Sequence, residues 1–172
     1  MNLNKYKNIF LDRDGVINSV VKRNDVISSP RSIEEFKLRD DFLMFSNNSK
    51  EKGFLFFVCT NQPDISRNLL DLNELKKMHA VIESLIDLTE IVYCPHDDCD
   101  NCLCRKPLPG MINSMITKYN LKREECLIIG DSYKDISAGN NAHIDACLLE
   151  TTYNEHVKCA NRIHKLADLK IQ

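Results

Sequence analysis

The sequence lacks any apolar run long enough to cross a membrane or to form the core of a signal peptide. The stretch at residues 9–11 leads straight into charged residues, and the run at residues 54–59 is far shorter than the roughly 20 apolar residues that a membrane helix needs. We therefore expect no association with a membrane and, by default, a cytoplasmic location.

The sequence also lacks a marked excess of charge of either sign. Its 172 residues include 23 Lys and Arg and 25 Asp and Glu, which gives a formal net charge of −2. Nothing global attracts nucleic acid, so we expect no nucleic-acid partner. An anionic substrate must then be bound by a local cluster of positive groups.

Internal repeats, low-complexity tracts and Gly/Ser-rich linkers are absent as well. A chain of this length, with 43% hydrophobic residues, is large enough for one core and short for two full domains. We predict a single domain over residues 1–172. No segment marks a large apolar face for a partner, which favours a monomer.

What the sequence does contain is an alternation of short apolar segments with amphipathic ones. The predicted strands are residues 8–11, 54–59, 90–93, 126–129 and 144–149, with a further edge strand at 167–171. The predicted helices are residues 39–52, 71–87, 109–119 and 133–141, the second opened by a capping box of Asp71 and Glu74. This alternation predicts an α/β fold, a parallel sheet with helices on both faces, whose ligands bind beyond the carboxyl ends of the strands.

Two carboxylates follow the first predicted strand, in Asp12-Arg13-Asp14-Gly15. Side chains one residue apart can point into one cavity there because the glycine lets the chain turn away. Asp12 is the candidate nucleophile for phosphorus, and Asp14 the candidate general acid and then base. An Asx turn that caps a loop is the structural alternative for this pair taken alone.

Asp131 and Asp135 bring two more carboxylates to the end of another strand. Four acids in one cleft would repel one another, and a hard divalent cation such as Mg²⁺ removes that difficulty. We expect Asp12, Asp131 and the backbone carbonyl of Asp14 as direct ligands, with Asp135 as a neighbour or a ligand through water. A helix N-cap is the alternative role of Asp135.

A phosphoryl group in transfer also needs donors and a fixed positive charge opposite the metal. Thr60, at the end of the second predicted strand, offers a hydroxyl and a backbone N–H, and Lys106 offers the charge. Arg105, next to Lys106, is expected to be free to face the substrate. Singly, these residues are ordinary, and only the set indicates phosphoryl transfer.

Four motifs carry a resemblance to a known family. They are Phe10-Leu11-Asp12-Arg13-Asp14-Gly15, Thr60-Asn61-Gln62, Arg105-Lys106-Pro107 and Gly130-Asp131-x-x-x-Asp135. Over about residues 8–150 the chain resembles the haloacid dehalogenase (HAD) superfamily of phosphotransferases, in the branch of heptose-bisphosphate and histidinol-phosphate phosphatases. The resemblance implies a Rossmann-like fold without a large cap domain, and a zinc-binding loop just before the catalytic lysine.

The cysteine pattern agrees with such a loop at residues 94–104. Cys94, His96, Cys102 and Cys104 supply three sulfurs and one nitrogen, a tetrahedral set suited to a closed structural zinc site. Reduced cysteines without a metal are the alternative. Cys99 is an additional thiol, and the cysteines elsewhere stand among apolar neighbours, as reduced core residues do.

The substrate that the resemblance implies is a small phosphorylated sugar, with histidinol phosphate as the alternative. The run from Arg105 to Met111 is similar to that of heptose-bisphosphate phosphatases, whereas the short zinc loop is more like the histidinol-phosphate type. A second phosphate would need positive charge away from the metal, for which Arg67 and Arg105 are the candidates. Acidic partners for histidinol could come from Asp97, Asp98 and Asp100.

We therefore expect removal of the 7-phosphate from D-glycero-D-manno-heptose 1,7-bisphosphate, a precursor step for lipopolysaccharide or capsule heptose. The expected substrate-binding residues are Asn61, Gln62, Arg67 and Arg105. A zinc-bearing phosphate-binding module without catalysis is the alternative of a different class. The complete set of acids and the lysine disfavours it.

Overall fold

The computed structural model describes residues 1–49 and 52–170, and its elements alternate as the sequence predicts. The strands are β1 (Asn8–Leu11), β2 (Val21–Arg23), β3 (Val26–Ser28), β4 (Leu55–Asn61), β5 (Leu88–Cys94), β6 (Cys126–Gly130), β7 (Asp145–Leu149) and β8 (Asn161–Ile163). The helices are α1 (Asp40–Ser49), α2 (Leu72–Glu83), α3 (Gly110–Tyr119) and α4 (Tyr133–Asn141).

Within these residues, six parallel strands form one sheet in the order β5-β4-β1-β6-β7-β8. β1 lies near the middle, where Ile9 is paired with Phe56 of β4 and Leu127 of β6. Because the strands run in one direction, their carboxyl ends meet at one edge. The residues that follow β1, β4 and β6 are therefore neighbours in space.

Side chains along β1 alternate between two hydrophobic cores. Ile9 and Leu11 pack in a cluster that includes α1 and α2, whereas Phe10 packs in a second cluster with α3 and α4. Phe10 stacks on Phe57 of β4, with ring centroids 4.9 Å apart. Helices thus cover both faces of the sheet, which confirms the predicted fold class.

Two of the predicted helices differ from the structure. The helix predicted at 39–52 is α1, which covers Asp40–Ser49, while residues 50 and 51 lie outside the described residues. The helix predicted at 71–87 is α2, which ends four residues earlier, at Glu83. Asp71 caps α2 by accepting from the Asn73 N–H, but the predicted capping box is not complete. The Glu74 carboxylate instead accepts from the Ile33 N–H and from Lys77, so it fixes the chain before α1.

One edge of the sheet is formed by β8, which pairs with β7, and the strand predicted at 167–171 is wrong. Residues 166–168 form a 3-10 turn, Lys170 makes a single bridge to Asn2, and residue 171 lies outside the described residues. The Asp168 carboxylate closes this 3-10 turn by accepting the backbone N–H groups of His164 and Lys165.

A hairpin of β2 and β3 follows the Asp12-Asp14 segment and was not predicted. Its two turn residues, Asn24 and Asp25, both have positive φ, the backbone that two-residue hairpin turns favour. The strands are short and largely solvent-facing, so the apolar pattern that reveals a buried strand is missing. Among the described helices, none combines the length and hydrophobicity that a membrane crossing requires.

Candidate active site

A cavity of about 510 Å³ opens at the carboxyl edge of the sheet. Its floor carries Asp12 after β1, Thr60 in β4, Asp131 after β6 and Lys106 from the loop that follows the Cys/His segment. The hairpin contributes Ile27 to its wall. The structure thus gathers at one place the four motifs that the sequence singled out.

Three carboxylates converge on this floor. Single oxygen atoms of Asp12, Asp131 and Asp135 all lie within 4.8 Å of one another, and the three residues are buried. The N-cap of α4 is Ser132, and Asp135, at the third helical position, completes a capping box because its Oδ2 accepts the backbone N–H of Ser132 at 3.1 Å. The alternative role of Asp135 as the N-cap itself is therefore wrong, and the same side chain belongs to both the capping box and the acid cluster.

Lys106 ties this acid cluster together. Its buried Nζ donates to Asp12 Oδ1 at 2.7 Å, to Asp135 Oδ1 at 2.5 Å and to the Cys59 carbonyl at 2.7 Å. Burial by itself would lower the pKa of Lys106, but the two carboxylates outweigh burial and raise that pKa above its usual range. Lys106 thus holds a fixed positive charge next to Asp12, the candidate nucleophile.

One lysine does not balance three carboxylates. Burial, and then the Asp135 charge, raise the pKa of Asp12 to about 7 even though Lys106 opposes the shift. Burial and the two neighbouring carboxylates raise the pKa of Asp131 as well. A buried set of carboxylate oxygens with uncompensated negative charge fits a hard divalent cation, and Mg²⁺ takes such ligands.

Asp14 is held apart from this cluster. Arg13, itself fully buried, donates through Nε and Nη2 to both carboxylate oxygens at 3.0 and 2.9 Å. Asn18 and Gln62 each add one hydrogen bond, at 2.9 and 2.8 Å. Burial alone would raise the pKa of Asp14, but Arg13 and these amides outweigh it and lower that pKa. Asp14 lines the cavity as an ionised group whose orientation is fixed.

The segment Thr60-Asn61-Gln62 holds Lys106 and Asp14 in place through hydrogen bonds. The Asn61 amide donates to the Lys106 carbonyl at 2.9 Å and accepts the Lys106 N–H at 3.0 Å, so it clamps the lysine backbone. Gln62 is fully buried, and its amide nitrogen reaches both Thr60 Oγ1 and Asp14, each at 2.8 Å. Of the two amides expected to bind substrate, Asn61 lines the cavity, and Gln62 acts on Thr60 and Asp14.

Arg105 is not free, contrary to the expectation from its position beside Lys106. It lines the cavity but is largely buried, and it donates to Asp98 Oδ1 at 2.6 Å and to the His96 carbonyl at 3.1 Å. Arg67 also lines the cavity and is bound to Asp97, and Arg105 Nη2 lies 4.0 Å from the same Asp97 carboxylate. Both arginines are therefore attached to the loop that carries the cysteines.

The Cys/His segment closes on itself next to the cavity. One ligand atom from each of four residues lies within 4.8 Å of the others, and these residues are Cys94, His96, Cys102 and Cys104. The sulfur atoms are 3.1–3.6 Å apart, and two of them lie 3.4 and 3.6 Å from the histidine Nδ1. Zinc–sulfur bonds of about 2.3 Å place tetrahedral sulfurs about 3.8 Å apart, so the cluster is compatible with zinc. Cys99 is exposed and stands outside it.

Two residues of the site were missed because they come from a segment without a clear pattern. The Tyr153 hydroxyl donates to Asp131 Oδ2. The buried Asn154 amide donates to the Asp131 carbonyl at 2.7 Å and to the Leu149 carbonyl at 2.8 Å. A Thr-Thr-Tyr-Asn turn directly after a buried strand was the available signal, since such turns lie at the ligand-binding edge.

Comparison with known proteins agrees with this geometry. A family model described as HAD-hydrolase-like matches residues 103–168. A D-glycero-β-D-manno-heptose-1,7-bisphosphate 7-phosphatase of Neisseria meningitidis is 36% identical over 77% of this chain and 71% of its own. A D-glycero-α-D-manno-heptose-1,7-bisphosphate 7-phosphatase of Campylobacter jejuni is 30% identical over 96% of this chain and 93% of its own.

Solved structures give the same result. The D,D-heptose 1,7-bisphosphate phosphatase of B. bronchiseptica, crystallised with magnesium and phosphate, has a TM-score of 0.82 and 26% identity, and 94% of each chain is covered. The fold and the acid cluster define the class, which is that of the HAD-type phosphoric monoester hydrolases. Within that class, the chain belongs to the family of the heptose-bisphosphate phosphatases.

Proposed function

We propose that this phosphatase removes the 7-phosphate of D-glycero-D-manno-heptose 1,7-bisphosphate through a phosphorylated Asp12. The observation that carries the proposal is the contact of Asp12 with Lys106 in a cavity that Arg67 and Arg105 also line. A substrate with two phosphates can place one at the floor and the other near the arginines. The names of the relatives support this substrate.

Asp12 attacks phosphorus and forms an acyl phosphate as the sugar alkoxide leaves. Lys106 holds the Asp12 carboxylate and faces the phosphoryl charge, and Thr60 donates to a phosphoryl oxygen. Asp12, Asp131 and the Asp14 carbonyl, with Asp135 beside them, would hold Mg²⁺, which would neutralise negative charge on the phosphate and the carboxylates. Water then cleaves the acyl phosphate and regenerates Asp12.

Asp14 moves the proton in both steps. Its donors keep it ionised in the free chain, but a phosphate dianion placed beside it raises its affinity for a proton. Asp14 then takes up a proton as substrate binds and delivers it to the leaving alkoxide. In the second step the same carboxylate accepts a proton from the attacking water.

Histidinol phosphate demands acidic groups that are free to bind an amine. Asp97 and Asp98 are occupied by Arg67 and Arg105, and the Asp100 carboxylate accepts the Asp97 N–H. These contacts disfavour that substrate. A module without catalysis is disfavoured by the intact acid cluster and by relatives that are named as phosphatases.

The proposal extends to the rest of the molecule. Structural zinc bound by Cys94, His96, Cys102 and Cys104 would fix the loop that holds both arginines. We propose one domain over residues 1–172, acting as a monomer in the cytoplasm on a small phosphorylated sugar.

The test is phosphate release with Mg²⁺ from both anomers of the heptose bisphosphate and from histidinol phosphate, each at equal concentration. We expect kcat/KM to favour a bisphosphate about a hundredfold, about 2.7 kcal/mol of transition-state discrimination. Preference for histidinol phosphate would overturn the substrate. If none of these compounds is hydrolysed, the proposed substrate is wrong, and the phosphatase acts on a different sugar phosphate.

A further inference from the structure

A chain of ion pairs runs along one wall of the cavity, from the Cys/His loop to the loop after β4. Arg67 donates to Asp97 through both Nε and Nη2, at 2.5 and 2.7 Å. Its Nη1 also lies 3.3 Å from Asp64 Oδ1, and the other oxygen of Asp64 accepts from Arg31 at 2.7 Å. Arg67 is therefore held from two sides, although its side chain is 44% exposed.

The Asp97 carboxylate is itself fixed by its own loop. The Asp97 N–H donates to the Asp100 carboxylate at 2.7 Å as part of a capping box between these two residues, and the Asp97 carboxylate also accepts the Asp98 N–H at 2.8 Å. Asp97 directly follows His96 of the Cys/His cluster. The position of Arg67 thus depends on a short, internally bonded turn.

The pairing leaves part of the guanidinium free for a ligand. Arg67 has five N–H groups, of which three donate to Asp97 and Asp64, so two are left over among the described contacts. These two belong to Nη1 and Nη2, and Arg67 lines the cavity. A guanidinium that is fixed before binding loses less side-chain entropy when it receives a phosphate.

We propose that Asp97 is a positioning residue, which holds Arg67 in place for the substrate phosphate that is not transferred. The inference rests on the proposed bisphosphate substrate. It gives the Cys/His loop a part in substrate selection through Asp97. If Asp97 merely neutralised Arg67, its removal would strengthen phosphate binding, so the two effects have opposite signs.

The kinetic test compares Asp97→Asn with wild type on the bisphosphate and on a heptose 7-phosphate that lacks the 1-phosphate. We expect KM for the bisphosphate to rise about tenfold, kcat to stay within about twofold, and the monophosphate kinetics to stay unchanged. Asp97→Glu should restore part of the loss. Asp87→Asn, an exposed acid elsewhere, is the control, and unchanged zinc content in D97N verifies that the loop is intact.

A double-mutant cycle shows whether Asp97 acts through Arg67. Arg105 Nη2 also lies 4.0 Å from Asp97, a longer contact than that of Arg67, so in an Arg67→Gln background D97N should raise KM by no more than about twofold. An additional tenfold rise there, an unchanged or lowered KM in the single D97N variant, or equal damage to the monophosphate reaction would overturn the positioning role.

A measurement without substrate separates this inference from the proposed function. In ¹⁵N NMR spectra, the Arg67 Nε–H signal, identified by its loss in R67Q, should exchange slowly with water in wild type and at least about tenfold faster in D97N. Equal exchange would overturn the positioning of Arg67. A further outcome is that wild type shows no preference for the bisphosphate while the Arg67 Nε–H still exchanges faster in D97N. In that case the proposed substrate would be wrong and the positioning of Arg67 by Asp97 would stand.

Discussion

The Nζ of Lys106 lies 2.7 Å from the Oδ1 of Asp12, although 94 residues separate the two in the sequence. This contact joins the strand at the centre of the sheet to the loop that follows the Cys/His cluster. It also places the positive charge of the lysine against one carboxylate oxygen of Asp12, the candidate nucleophile.

Asp12→Asn should lower phosphate release by at least about a thousandfold, because an amide cannot form the acyl phosphate. The fold should persist, since the amide oxygen can still accept from Lys106. Circular dichroism and the thermal midpoint measure the fold, and Asp25→Asn in the exposed hairpin turn serves as the control. Appreciable turnover by D12N would rule out the covalent route.

Lys106→Met should destabilise the metal-free protein by about 3–5 kcal/mol, because it leaves buried carboxylates without their cation. Urea unfolding in EDTA measures this loss, and added Mg²⁺ should recover part of it. Lys118→Met is the matched control, since Lys118 pairs with Glu90 at the surface and its removal should change stability little. Equal losses in the two variants would contradict the structural role of the buried lysine.

Gly15→Ala should weaken Mg²⁺ binding and activity by more than about tenfold. The glycine has φ +91°, and an added Cβ would overlap the Asp131 carboxylate and lie 2.7 Å from the Tyr153 hydroxyl. Gly53→Ala is the control, because Gly53 also has positive φ, at +73°, but an added Cβ there meets nothing within 4 Å. Calorimetric titration with Mg²⁺ should distinguish them. A Mg²⁺ affinity of Gly15→Ala equal to that of Gly53→Ala and of wild type would contradict the clash with Asp131.

Cys102→Ser should abolish binding of the zinc ion that we expect at one per chain, whereas Cys99→Ser should retain it. Cys102 belongs to the four-residue cluster, and Cys99 is exposed outside it. Hydrogen bonds from the Arg105 backbone and the neighbouring thiols outweigh burial and lower the pKa of Cys102 to about 7, which favours the metal-binding thiolate. Elemental analysis of the purified variants gives the result. Zinc at full occupancy in C102S would exclude this site.

Stability should fall as the pH drops from about 6.5 to about 4, by up to about 3 kcal/mol from His79. Burial, and then the Arg13 charge, lower the pKa of His79 to about 4, so the folded state stays neutral while the unfolded state takes up a proton. The contribution is complete above the unfolded pKa and is lost as the pH falls towards the folded value. Urea unfolding of wild type and His79→Leu across this range measures the difference. Parallel pH profiles would contradict it.

Much of the fold was predictable because its elements are locally marked. The apolar strands β1 and β6 are buried on both faces, α4 has the predicted bounds, and α3 begins one residue after the predicted start and ends at the predicted residue. The strand ends then placed Asp12, Thr60 and Asp131 at one edge, since parallel strands share their direction.

Other features depend on partners that lie far away in the sequence. Arg105 appeared free because its partners, His96 and Asp98, become neighbours only when the Cys/His loop folds back. The contact of Arg67 with Asp97 spans two loops, and no local pattern encodes it. Sequence spacing identified the charged groups, but only the structure shows which of them neutralise one another.

The cavity floor takes its residues from segments between Asp12 and Asn154, and the central strand β1 obtains its second neighbour only from β6. A nascent chain that ends before Asp131 thus carries the nucleophile without its metal-binding partners. Catalysis appears only after the middle of the sheet has closed. The chain has no tryptophan to report folding by fluorescence. The return of phosphatase activity during refolding would therefore measure directly when β6 pairs with β1.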